Sequence, residues 1–210
     1  MARWFLVRHG ETVWNAEGRV QGHLDSSLTD AGLENARRMA ARLTSVGFAA
    51  AYASDLGRAQ ETLSIMLNGR SLPTQTLSEL REKSYGSWEG STFQEIQERY
   101  PEQYDRLFQD DVEFAPPGGE SDEDLARRID GLAERLRLAH PGDEDILLLA
   151  HGGSLRALLV SLLELPVRSL WHFRLDNSSL SIVGTSSNGA TVHLWNDTSH
   201  LAGVGQQTRP

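Results

Sequence analysis

The chain has 210 residues, 39% apolar and 23% charged, with a formal net charge of −9 and no cysteine. That length fits one domain able to bury roughly 70% of its unfolded surface, and the missing cysteine excludes disulfides, thiol catalysis and cysteine-bound metals. The negative balance argues against nucleic-acid binding or adhesion to an anionic membrane, so an anionic substrate would need a local cationic pocket.

The N-terminus carries one early Arg and a short apolar run, far below a signal-peptide core or a membrane span, so a cytoplasmic enzyme is expected. Trp4 to Val7 read as a buried strand that ends in Arg8-His9-Gly10, with Gly10 allowing a sharp turn. Residues 11 to 28 read as a polar, Gly-containing loop with Asn15, Gln21-Gly22 and His23. Thr29 is the expected N-cap of a helix to about Ser45, stopped by Gly47, with an apolar stripe of Leu33, Ala36, Ala40 and Leu43. Ala49 to Ala53 predict a second strand, and Ser54-Asp55 open a helix carrying Arg58, Leu63 and Leu67. Residues 77 to 90 look irregular. Residues 92 to 120 form a polar segment dotted with aromatics, with at least one short helix before Pro101 and a return loop at Pro116-Pro117-Gly118-Gly119.

Ser121 is the expected cap of a helix to about Ala139, ended by His140-Pro141-Gly142. Ile146-Leu147-Leu148-Leu149-Ala150 then repeats the first device, a strand running into His151-Gly152-Gly153, and a helix from Ser154 to about Leu163 follows. The tail predicts strands at Ser179–Gly184 and Thr191–Trp195 around a turn at Ser187-Asn188-Gly189, with residues 203–210 loosely held. The order β-α-β-α, an irregular insertion, then α-β-α-β-β gives a three-layer α/β sandwich with a mostly parallel central sheet flanked by helices. We expect one domain over residues 1–210 with a lid-like insertion at about 84–120. Two strand-His-Gly units bring two imidazoles to the carboxyl edge of the sheet, where ligands bind in open α/β folds.

With those elements placed, Arg8-His9-Gly10-Glu11-Thr12 with Asn15 and Gln21-Gly22 resembles the opening of the histidine phosphatase superfamily, which has the phosphoglycerate-mutase-like fold. Further matches follow in order: Leu28 to Gly32, Ser54 to Ala59 with Thr62, Leu80-Arg81-Glu82, Tyr85-Gly86 with Trp88-Glu89-Gly90, Gly118 to Ser121, and His151-Gly152. A three-letter match is common by chance. The ordered set spans nearly the whole chain and is specific.

The residue types suit phosphate chemistry on their own. Arginine forks bind phosphate through paired hydrogen bonds, and positioning with electrostatics carries most of phosphoryl transfer. Arg8 and Arg58, each just past a predicted strand, form a natural clamp. A neutral imidazole is a competent nucleophile near pH 7 and would give a phosphohistidine. The sequence alone does not rank His9 against His151. The resemblance assigns the nucleophile to His9 and places His151 in the phosphate pocket as a donor. It also puts the general acid that protonates the leaving oxygen at Glu82, and Asn15 among the phosphate-binding residues. The N–H of Gly152, at a helix start, offers a further donor, and Gln21-Gly22 lines the rim. His23, His140, His172, His193 and His200 receive no role, although His172 is near enough to the tail to approach the site.

The resulting expectation is a phosphomonoesterase, with no cofactor and no metal, acting on a small-molecule phosphate ester. No nucleic acid or membrane partner is expected, and a homodimer is left open. Three alternatives stand beside it. A cofactor-dependent phosphoglycerate mutase is disfavoured because residues 91–117 hold seven acids against two bases, which would repel a bisphosphate. A non-catalytic phospholigand-binding protein would lack His9 or Glu82. A metallohydrolase would need ligand spacing that does not accompany His9 and His151. Related phosphatases act on sugar phosphates, α-ribazole phosphate, phosphoserine or many esters, and Tyr85 stands where phosphoserine phosphatases resemble one another in carrying His. Trp88, Phe93, Tyr100, Tyr104, Phe108 and Phe114 would suit an apolar or ring-bearing leaving group.

Overall fold

Both strands that run into His-Gly sit at the centre of one sheet. The computed structural model describes residues 1–107, 109, 111–186 and 189–202. Among these, the strands are β1 (Ala2–Arg8), β2 (Phe48–Ser54), β3 (Thr74–Leu77), β4 (Asp145–Ala150), β5 (Leu180–Ser186) and β6 (Gly189–Asp197). They are ordered β3-β2-β4-β1-β5-β6. The first four run parallel, while β5 pairs antiparallel with β1 and with β6.

Side chains alternate along these strands, so each central strand feeds two cores. Trp4, Leu6, Ile146 and Leu148 face one layer, packed against Leu125, Ile129 and Leu132 of α6 (Asp122–Ala139) and Leu155 and Leu158 of α7 (Gly152–Leu162). Phe5, Val7, Leu147 and Leu149 face the other, against Met39 of α2 (Asp30–Arg42) and Ala59, Leu63 and Met66 of α3 (Gly57–Leu67). The three-layer sandwich with a mostly parallel sheet is therefore observed. Leu148 is fully buried, and truncation to Ala at such a site costs about 2–5 kcal/mol.

The remaining helices are α1 (Val13–Glu17), α4 (Phe93–Arg99) and α5 (Pro101–Arg106). Helix α1 lies inside the expected loop. Its Thr12 cap takes the Asn15 N–H while the Asn15 side chain takes the Thr12 N–H, a reciprocal box that stabilises a very short helix. Helix α2 ends at Leu43, so Gly47 is not its stop; the chain closes the helix without a left-handed residue. Ser54 belongs to β2, and α3 begins only at Gly57. The edge strand β3 is polar and exposed, which hides it from an apolar pattern. Pro101 opens α5 rather than only ending α4, because a proline at the first helical position has no intrahelical N–H to lose.

Within residues 84–120, Trp88, Ile96 and Phe114 build a small core with Val20, against which Tyr85, Tyr100 and Tyr104 pack. Most aromatics of this segment thus hold the segment itself. Phe108 and the turn residues Ser187 and Asn188 lie outside the described residues, as do residues 203–210. No described helix is long and apolar enough to cross a membrane.

Candidate active site

Adjacent strands fix the two imidazoles. Arg8 pairs with Ala150 in the register of β1 and β4, and the His9 N–H donates to the Ala150 carbonyl at 3.0 Å. His9 and His151 therefore leave the sheet side by side, with ring centroids 5.0 Å apart. The turn after His9 is fastened by the Gly10 N–H, which donates to Thr62 Oγ1 of α3 at 3.0 Å.

The hydrogen bonds of His9 define its tautomer. Nδ1 lies 2.7 Å from the Gly10 carbonyl oxygen, which can only accept, so Nδ1 carries the hydrogen and Nε2 keeps its lone pair. Burial, with Arg58 and then Arg8 adding like charge, holds the His9 imidazole well below its ordinary pKa. It is neutral at pH 7. His151 is wholly buried behind it, and burial together with Arg58 and His9 lowers its pKa in the same way. Its Nε2 meets Ser54 Oγ at 2.8 Å. Its Nδ1 is buried and has no partner among the described residues.

Around His9 a cleft of about 170 Å³ is lined by Arg8, Asn15, Gln21, Gly22, Arg58, Glu82, Gly152 and Gly153, among others. All the proposed site residues except His151 are on this wall, and His151 stands against His9 from behind. Arg8 gives Nη1 to the Leu175 carbonyl at 2.6 Å and leaves Nε buried without a partner. Burial lowers its pKa to about 10, with Glu82 opposing, so it stays charged. Arg58 is 2% exposed. It holds the rim loop through Nη1 to the Leu24 carbonyl and Asp25 Oδ1, both 2.7 Å, and Nη2 to the Gly22 carbonyl at 2.8 Å. Its Nε remains unpartnered and buried.

Asn15 Oδ1 accepts from Thr12 N, Thr12 Oγ1 and Asn177 Nδ2, each at 3.1 Å. Those three donors fix the amide orientation and leave its NH₂ group to the cleft. Gln21 contributes a buried Oε1 with no partner. Gly22 is a rim element whose added Cβ would strike the Glu89 carboxylate. That carboxylate ties the rim to residues 84–85 by accepting from His23 N, Leu24 N, Ser84 Oγ and Tyr85 N.

Glu82 Oε1 accepts from Lys83 N and from Gly153 N, both at 2.8 Å, while Oε2 has only a longer share of the Gly153 N–H, at 3.1 Å. Oε2 is the freer oxygen. A Cβ at Gly153 would collide with Glu82 Oε1, so the close approach of acid and helix start needs glycine there. The Gly153 N–H is thus committed to Glu82, while Gly152, the other first-turn glycine, lines the cleft.

Tyr85 and Phe93, singled out in the sequence, line the cleft, whereas sequence reasoning missed Arg156, Trp171, Arg19 and Val20. Arg156 donates Nε to the Phe173 carbonyl at 2.5 Å and stacks its guanidinium 5.3 Å from the Trp171 ring centroid. Its signal was available: it is the only charge in the apolar run Gly152–Leu162. Tyr85 is kept a neutral phenol by burial and by Glu82 and Asp122. His172 is exposed and does not line the cleft; its neighbour Trp171 does. The described residues contain no cluster of His, Cys, Asp and Glu able to hold a metal ion.

A sheet edge carrying two neutral imidazoles among guanidinium groups, on this α/β sandwich, defines the phosphoglycerate-mutase-like histidine phosphatases. The chain belongs to the histidine phosphatase superfamily (branch 1), whose family model matches residues 4–198. It is 32% identical over 195 residues to the adenosylcobalamin/alpha-ribazole phosphatase of Escherichia coli K12, covering 92% of this chain and 95% of that one. It is 36% identical over 204 residues to the metal-independent phosphoserine phosphatase of Arabidopsis thaliana, covering 95% and 83%. Among solved structures, Bacillus stearothermophilus YhfR superposes with a TM-score of 0.89 at 35% identity, covering 96% of this chain and all of that one.

Proposed function

We propose that the protein is a metal-independent phosphomonoesterase that hydrolyses a small phosphorylated metabolite through a phosphohistidine on His9. The observation carrying this reading is His9 itself: a neutral ring whose Nδ1 hydrogen is held by Gly10, with Nε2 free beside Arg8 and Arg58. In the first step the Nε2 lone pair attacks phosphorus and the ester P–O bond breaks. The leaving oxygen takes a proton from Glu82, releasing the alcohol. The phosphorylated ring keeps its Nδ1–H, and the Gly10 carbonyl stabilises the positive charge. In the second step the Glu82 carboxylate takes a proton from water, the water oxygen attacks phosphorus, and the P–N bond breaks to give inorganic phosphate and neutral His9.

The unpartnered donors fit a phosphoryl group. Arg8 Nε, Arg58 Nε and His151 Nδ1 are buried without a partner among the described residues, and buried donors of this kind call for an acceptor. If the Ser54 hydroxyl donates to His151 Nε2, the imidazole hydrogen sits on Nδ1, as the assigned role requires. Arg8 and Arg58 supply the fixed charge.

Trapping the intermediate tests the reading. Phosphohistidine is acid-labile, so turnover of ³²P-labelled substrate is stopped by alkaline denaturation and the label mapped. Label should appear on His9 and vanish in His9→Ala. Label on Ser54 or Ser154 would transfer the nucleophile to a hydroxyl and refute the assignment.

A further inference from the structure

Glu82 sits in a stretch with no regular secondary structure, between the 3₁₀ turns Ser78–Leu80 and Gly86–Trp88. No strand ladder holds its backbone, yet a general acid has to be placed to within a fraction of an ångström. We infer that Arg128, on α6 and absent from the cleft wall, is the positioning residue for Glu82. This inference rests on the assignment of Glu82 as the acid.

The guanidinium of Arg128 has all five of its N–H groups engaged. Nη1 donates to the carbonyls of Glu79 at 2.7 Å and Arg81 at 2.9 Å. Nη2 donates to the Glu82 carbonyl at 3.0 Å and to Glu120 Oε2 at 2.8 Å, and Nε to Glu120 Oε1 at 2.9 Å. Three carbonyls of four consecutive residues thus converge on one planar group. Glu120, held side-on by the same group, accepts the Ser84 N–H at 2.9 Å, and its own N–H returns to the Ser84 carbonyl. The clamp therefore grips the acid's segment on both sides of Glu82.

Its foundation is rigid. Arg128 neighbours Ile129, and one turn away Leu125 and Leu132 are also fully buried against the sheet. Helix α6 packs on α7, whose Gly153 N–H holds the Glu82 carboxylate itself. One helix fixes the backbone of the acid and its neighbour fixes the side chain. His23, given no role by the sequence, places Nε2 3.0 Å from the Glu82 carbonyl and links the rim loop to the same point.

Lysine at position 128 keeps the charge but offers one ammonium with three donors, which cannot span the carbonyls and grip Glu120 side-on. The test is a double-substitution cycle of Arg128→Lys and Glu82→Gln, read in single turnover on an alkyl phosphate and on nitrophenyl phosphate. Arg128→Lys should slow the alkyl ester about 10- to 100-fold, the scale of a small misplacement of a catalytic group. The nitrophenyl ester, whose leaving group needs little protonation, should change little. Inhibition by inorganic phosphate should be unaltered, because Arg128 does not reach the cleft. In the Glu82→Gln background the same substitution should add little further loss.

Losses that multiply in the double variant, or equal losses on both esters, would overturn the inference. A Glu82→Gln variant that does not discriminate between esters would refute the acid assignment, while coupling to Arg128 would still support the clamp. Glu120→Gln, which weakens the same grip, is run in parallel and should reproduce the pattern if Arg128→Lys does not fold.

Discussion

Replacement of Glu82 by glutamine separates chemistry from scaffolding, because the structure distributes the two over different oxygens. Oε1 accepts both 2.8 Å backbone bonds, from Lys83 and Gly153. A glutamine keeps that acceptor and so keeps the segment in place. The atom exchanged for NH₂ is Oε2, whose only bond is the 3.1 Å share of the Gly153 N–H. Loss of so weak an interaction should cost about 1 kcal/mol of stability or less. The chemical loss is larger, since an amide cannot give up a proton. General acid catalysis contributes about 10²- to 10⁴-fold, which is about 2.7–5.4 kcal/mol of barrier. That loss should fall on alkyl phosphates, which depart as strongly basic alkoxides, and spare nitrophenyl phosphate. Single-turnover rates are the right measure, because they report departure of the leaving group separately from any later hydrolysis of a phosphoenzyme. Equal losses on both esters with an unchanged melting temperature would mean that Glu82 acts in binding, and the acid would then be sought at His151.

Two other outcomes follow from the buried groups. His9 and His151 are neutral in the fold but protonate in the unfolded chain near pH 6.5. The unfolded state therefore binds more protons below that pH, and each group should remove about 1.4 kcal/mol of stability per unit as pH falls from 6.5 towards its folded pKa. Denaturant unfolding at pH 7.5 and 5.5 should show a smaller difference for His9→Gln than for the parent, and an identical difference would refute the buried neutral imidazole. Activity should also survive EDTA, because side chains fill every proposed role; complete loss restored by a divalent ion would sink the metal-independent mechanism.

Apolar runs and a reused strand-His-Gly device made the sheet centre legible, since a strand buried on both faces must be apolar at every position. β3 and α5 were not legible for the opposite reason: both are polar, short and stabilised by neighbours or by a single proline. Arg8, His9, Arg58, Glu82 and His151 stood out through their ordered motifs, and all meet at one cleft or directly behind it. What the order of residues concealed was second contacts. Nothing in Ala126-Arg127-Arg128 distinguishes the exposed Arg127 from Arg128, whose partners lie 46 to 49 positions away at Glu79, Arg81 and Glu82. The aromatics of residues 84–120 misled in the other direction: Trp88, Tyr100, Tyr104 and Phe114 pack on one another, and among the described aromatics only Tyr85 and Phe93 reach the cleft.

Charge bookkeeping inside the cleft bears on the choice between hydrolysis and mutase chemistry. Four arginines line it, but they are not equivalent. Arg58 is paired with Asp25, and Arg19 with Glu17 and Glu95. Arg8 and Arg156 form no ion pair with a carboxylate among the described residues. Burial lowers the pKa of each, and the like charge of Arg156 lowers that of Arg8 further, so an anion beside them is favoured over solvent. Together with the Nε–H that Arg58 leaves unpartnered, these guanidinium groups suit one phosphate dianion. A bisphosphate would bring twice that charge to a wall whose other two arginines, Arg58 and Arg19, already share their charge with carboxylates, beside a 91–117 segment with seven acids and two bases. Surface charge further out is screened within a Debye length of about 8 Å at physiological salt. The overall −9 therefore does little to deter one phosphate monoester, whereas the local balance leaves a second phosphate without a counter-charge.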